Sequence, residues 1–166
     1  ARQRANGGYG ISTGGVDGMF TCESEQGMAA FIRRYESTHL LGFDFNIEAQ
    51  PTEARIQSRV QQVGIAMKNH PDLRFSCTLA ALGSGDNDSL NRTGQWVMKA
   101  ITKEGLENYY INLMVMNYGK ADQGNCMVRS GQCDMTASAI RAVNNLSRKY
   151  HLPLRRIEVR PMIGVY

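Results

Sequence analysis

The sequence predicts an α/β protein built as part of a (β/α)8 barrel, and three observations carry that reading. Strand-like and helix-like segments alternate along all 166 residues, which argues for parallel strands joined by right-handed crossovers. One strand, Leu40 to Glu48, carries two unlike rows, because side chains alternate with a period of two. Phe43, Phe45 and Ile47 face one way, and Gly42, Asp44, Asn46 and Glu48 the other. The flanking segments read as helices that would cover an open sheet, whose central strands are normally continuous apolar runs. A polar row suits a barrel lumen instead, with the functional residue at the strand's C-terminal end. A whole barrel takes about 250 residues, and only five strands are visible here. The chain is therefore read as one partial barrel domain over residues 1–166, with an open doubly wound sheet as the competing architecture.

The elements follow in order. Residues 1 to 8 have no periodic pattern. Tyr9 to Thr13 is a short strand leading into Ser12-Thr13-Gly14-Gly15 and the turn-prone Val16-Asp17-Gly18. From Glu23 to about His39, Met28, Phe31, Ile32 and Tyr35 fall at helical spacing. The strand with the polar row comes next. Gln50-Pro51-Thr52 then opens a helix with Ile56, Val60, Val63 and Met67 along one side. Arg74 to Leu82 is the third strand, followed by the polar loop Gly83 to Asp88 and a helix containing Trp96, Val97, Ala100 and Ile101. Tyr109 to Tyr118 is the fourth strand, and period two puts Met114, Met116 and Tyr118 on one face of it. A loop from Gly119 to Cys133 leads to the helix Asp134 to about His151, and Ile157 to Tyr166 is the fifth strand.

Composition excludes several functions. No apolar run approaches the roughly 20 residues of a membrane span, and residues 1 to 8 lack the apolar segment of a signal peptide. The net charge of +4 is spread along the chain, with Arg33-Arg34 and Arg155-Arg156 among its few basic doublets, so nucleic acid is not the expected partner. Cys22, Cys77, Cys126 and Cys133 lack the paired spacing of a zinc site, and no metal is expected. Cys126 and Cys133 flank the polar loop Met127 to Gln132 and could close it as a disulfide, which would go with a secreted or periplasmic home.

Gly42-Phe43-Asp44-Phe45-Asn46-Ile47-Glu48 resembles the DGxDxDxE signature of the family-18 glycoside hydrolases, the chitinases and their relatives. Ser12-Thr13-Gly14-Gly15 is similar to that family's SxGG motif. Met116-Asn117-Tyr118-Gly119 is similar to its Met-Asp-Tyr-Gly strand end, and Arg160-Pro161-Met162-Ile163-Gly164 to its seventh strand. The motifs occur in the family's order over nearly the whole chain. The resemblance implies that the chain holds barrel strands three to seven, with the remaining strands or a second chain expected to cover the open edges.

It also implies a chemistry: retaining hydrolysis of β-1,4-N-acetylglucosamine linkages, without a cofactor, in which the substrate's own acetamide is the nucleophile. Chitin or an N-acetylglucosamine oligosaccharide is then the partner. Glu48 would be the general acid and later the base, beside Asp44. Asn46 would hold the acetamide N–H, and Tyr118 would donate to its carbonyl oxygen. Met114, Met116, Asn117, Met162 and Gly14 would line the sugar groove. Three positions depart from the family pattern. Leu41 stands for the first signature acid, Asn46 for the third, and Asn117 for the Asp of Met-Asp-Tyr. A carboxylate at 46 can balance the positive charge of an oxazolinium, whereas an amide can only orient it. A carbohydrate-binding relative with impaired catalysis is thus the alternative reading, and an unrelated α/β ligand-binding domain a third.

Overall fold

A computed structural model describes residues 7–18, 20–22, 24–48, 51–84 and 89–162. Five strands are hydrogen-bonded in the order β1-β2-β3-β4-β7: β1 Tyr9–Gly14, β2 Leu40–Asn46, β3 Arg74–Ala80, β4 Tyr109–Met114 and β7 Ile157–Arg160. Pairing is parallel at β1 with β2, where Ser12 lies opposite Asp44 and Gly14 opposite Asn46, and at β4 with β7. Helices α1 Glu25–Tyr35, α2 Glu53–Asn69, α3 Arg92–Glu104 and α4 Met135–Tyr150 are interspersed among the strands. The result is a partial parallel sheet with helices between its strands, an arrangement consistent with a β/α barrel.

The helices begin where side chains satisfy the free N–H groups of a first turn. Ser24 Oγ accepts from Gly27 N at 3.1 Å, Thr52 Oγ1 from Arg55 N at 3.3 Å, and Asp134 Oδ1 from Ala137 N at 2.9 Å. Before α3, Asn91 Oδ1 accepts from Gly94 N at 2.9 Å. At the other end of α4, His151 takes a left-handed conformation, φ 51°, the usual way to stop a helix.

Several boundaries differ from the sequence reading, each for a local reason. The first helix ends at Tyr35, not near His39, with Glu36 as its C-cap. The fourth strand ends at Met114, because Asn117 turns the backbone with φ 49°. The alternation expected for Met114, Met116 and Tyr118 persists in burial through Met116, with Leu113 and Val115 buried and Met114 and Met116 half-buried, and is broken by the Asn117 turn before Tyr118. β7 stops at Arg160, before Pro161, which has no N–H to give a ladder. Ile163 and Gly164 of the last motif lie outside the described residues. The loop after β4 contains a small antiparallel hairpin, β5 Val128–Arg129 with β6 Gln132–Cys133, and Cys126 and Cys133 are joined there as a disulfide with Cα atoms 5.6 Å apart.

By their internal contacts the described residues fall into two compact units, one from 1–77 and 96–110, the other from 78–95 and 111–166. In the first, the apolar row of β2 is buried as expected: Phe43, Phe45 and Ile47 are 1–3% exposed. Phe31 of α1 sits 5.2 Å from Phe43 between ring centroids, and Phe20 lies 4.5 Å from Phe31 and 5.6 Å from Phe45. Ile56, Val60 and Val63 of α2 are buried, as are Val97, Met98, Ala100 and Ile101 of α3. In the second unit, Leu79, Ile111, Leu113, Ala142 and Leu146 make up much of the core. A buried polar pair accompanies them, Asn112 Nδ2 donating to Thr78 Oγ1 at 3.0 Å.

Candidate active site

In the first unit the polar row of β2 is half-buried, and each of its functional groups has a defined neighbour. Gly42 comes first, with φ 157°, and a Cβ there would overlap the backbone carbonyl of Arg74. The signature glycine is thus required by the close approach of β3. Gly14, opposite Asn46, has φ 90°, and a Cβ on it would overlap the Asn46 carbonyl oxygen. That gives Gly14 a structural reason independent of any sugar.

Asp44 is held from both sides. Ser12 of β1 donates to Oδ2 at 2.8 Å, and Ser76 of β3 donates to Oδ1 at 2.8 Å. Two residues on, Asn46 donates from Nδ2 to Glu48 Oε1 at 2.7 Å, while its Oδ1 is buried without a hydrogen-bond partner. Unsatisfied buried acceptors are uncommon and costly, so this atom is suited to a ligand N–H. Glu48 lies just past the strand end and is half-buried. The structure therefore sets Ser12 against Asp44, Gly14 opposite Asn46, and Asn46 against Glu48. It adds Ser76, which the sequence reading missed. The signal was present: Ser76 and Thr78 alternate with Phe75, Cys77 and Leu79 along β3, a polar row like that of β2.

The remaining predicted residues belong to the second unit. Tyr118 is 7% exposed, and its hydroxyl is buried without a hydrogen-bond partner. Burial pushes its pKa from 10.0 up to about 12, because desolvation disfavours the phenolate. The hydroxyl therefore stays a donor at neutral pH. The stability tied to its protonated state is intact below pH 10 and is lost as pH rises toward about 12, since the unfolded chain ionises first. In an ultraviolet titration, a tyrosine step near pH 12 should be lost in Tyr118→Phe while the fold persists; a late step unchanged by that substitution would contradict this placement. Asn117 is exposed on its turn, Met114 and Met116 are half-buried, and Met162 is 49% exposed.

Among the described residues, no group of three His, Cys, Asp or Glu side chains could hold a metal, and no helix is long and apolar enough to cross a membrane. The free thiol of Cys77 is buried, and desolvation, reinforced by Asp44 and opposed by Arg59, raises its pKa to about 12. A thiol so protonated is a poor nucleophile. Chemically, the β2 row offers an anchored carboxylate, a vacant amide acceptor and a second carboxylate restrained by that amide.

No family model matches the sequence, and no curated protein matches it. Solved structures do. The chain is similar to active domain 2 of a chitinase from Pyrococcus furiosus, studied as catalytic-site mutants, with a TM-score of 0.67 and 22% identity over 98% of this chain and 53% of that one. It is also similar to the chitinase Chi1 of the Yersinia entomophaga toxin complex, with a TM-score of 0.60 and 13% identity over 90% of this chain and 32% of that one. A Group IV chitinase of Ostrinia furnacalis, solved with allosamidin, gives 0.54 and 14% over 95% of this chain and 47% of that one. At these identities the likeness shows a shared fold, and this chain spans about half the length of the first of them.

Proposed function

We propose that this chain is the central part of a (β/α)8 barrel, strands three to seven, of a family-18-type glycoside hydrolase that cleaves β-1,4-N-acetylglucosamine linkages with retention. The observation that carries the reading is the β2 row, where an unpartnered buried amide oxygen lies between two carboxylates: Asp44 held by Ser12, and Glu48 held by Asn46. The likeness to chitinase domains supports it at the level of the fold.

In the first step the acetamide carbonyl oxygen bonds to the anomeric carbon as the glycosidic bond breaks, and Glu48 passes its proton to the leaving oxygen. In the second, water attacks the anomeric carbon of the oxazolinium and gives its proton to the Glu48 carboxylate. The acetamide returns unchanged. Asn46 Oδ1 accepts the acetamide N–H. Holding nucleophile and leaving group in line in this way replaces a bimolecular encounter, worth about 7–11 kcal/mol of barrier when the geometry is right. We place the protein in a secreted or periplasmic setting, in keeping with the Cys126–Cys133 disulfide, with the remaining barrel strands or a second chain covering the sheet edges.

Asn46 favours one second reading. A neutral amide leaves the oxazolinium without a carboxylate at that position, as in a relative that binds chitooligosaccharides without turning them over. Both readings are tested by measuring product release from an N-acetylchitooligosaccharide and from its deacetylated counterpart. Binding of the first without cleavage supports the second reading.

A further inference from the structure

We propose that Ser76 is a positioning residue: by anchoring Asp44 it makes that carboxylate, in place of residue 46, the fixed negative charge that faces the substrate's acetamide. The inference rests on the hydrolase reading above. When the acetamide oxygen bonds to the anomeric carbon and the leaving oxygen takes the Glu48 proton, one positive charge remains on the oxazolinium. Asn46 carries none to balance it. The carboxylates of the β2 row are Asp44 and Glu48, and Glu48 gives up and regains its proton in every cycle. Asp44 takes no part in that proton transfer.

Two hydroxyls hold that charge in place. An ionised carboxylate only accepts hydrogen bonds, so Ser12 and Ser76 both donate, each at 2.8 Å, to different oxygens. They come from the two strands that flank β2, so the carboxylate cannot turn toward one without losing the other. Their surroundings differ. Ser12 is exposed, whereas Ser76 is 9% exposed, and a charge-assisted bond shielded from water is the stronger of the two. Asp44 and Asn46 stand on the same strand face, about 7 Å apart by strand rise, so the anchored charge acts on the acetamide as a field and not by contact.

The test is kcat and KM on an N-acetylchitooligosaccharide for the native protein, Ser76→Ala, Ser76→Thr, and Ser76→Ala in an Asn46→Asp background. Misplacing a group by an ångström costs up to about 100-fold, so Ser76→Ala should lower kcat by about 10- to 100-fold with KM within about threefold. Ser76→Thr keeps the hydroxyl and should stay close to native. With a carboxylate at position 46 the charge has a second source, so the Ser76→Ala loss should shrink to under about threefold. A merely structural role would give the same loss in both backgrounds, and that result, or no loss in either, overturns the proposal. Should Ser76→Ala not fold, Ser76→Cys is nearly isosteric and a weak donor, and the same kcat loss is expected of it. A native protein that neither binds nor cleaves removes the hydrolase reading and this proposal with it. A native protein that cleaves, with Glu48→Gln dead and Ser76→Ala unimpaired, overturns this proposal alone.

Discussion

Glu48→Gln should lower kcat on an N-acetylchitooligosaccharide by about 1,000-fold, the middle of the range for losing a general acid and base, while KM changes little. Glutamine keeps the size and polarity of the side chain and can still accept from Asn46 Nδ2, the contact that orients Glu48 at 2.7 Å. What it lacks is a proton to give the leaving oxygen and a carboxylate to take one back from water. The loss thus falls on both steps of the cycle. Steady-state kinetics with a fluorogenic substrate checks it, and circular dichroism of the variant shows that the fold is kept. A Glu48→Gln protein with native turnover would move the acid elsewhere.

Gly42→Ala should have the largest effect on stability. The residue sits at φ 157°, and its Cβ would overlap the backbone carbonyl of Arg74 on the neighbouring strand. A backbone carbonyl cannot move aside as a flexible side chain can, so β2 and β3 must separate. Adding about 1–3 kcal/mol for the strained backbone to a similar amount for the overlap gives a loss of about 2–6 kcal/mol. Domains are commonly stable by only about 5–15 kcal/mol. A thermal melt should show the midpoint falling by about 10 °C or more, or no folded protein at all. A variant that melts with the native protein would mean that β2 and β3 are not packed this closely.

The two rows of β2 were legible in the sequence because burial and period two act on the same residues. Phe43, Phe45 and Ile47 are in the core, and Asp44, Asn46 and Glu48 share the opposite face. The helices were legible for a similar reason, their apolar stripes and capping residues lying close together in sequence. Strand ends were less so. Nothing in the residue types around Met114 fixes a left-handed turn at Asn117, and a hairpin of two-residue strands has too few residues to show a period. Ser76 shows in the sequence only as part of a polar row on β3, and that this row meets Asp44 is a contact between strands that no local pattern reveals. Gly14 was grouped with sugar contacts on motif resemblance, and the overlap a Cβ would make with Asn46 is a contact between strands that no local pattern reveals.

The measurement that tests the central claim most directly is the comparison of an N-acetylchitooligosaccharide with the same oligosaccharide deacetylated. In the proposed reaction the acetamide is the nucleophile, and Asn46 Oδ1, buried without a hydrogen-bond partner, is the atom that holds its N–H. Product should be released from the acetylated substrate, and none above background from the deacetylated one. Cleavage of both at similar rates would contradict this, because the nucleophile would then have to come from the protein or from water.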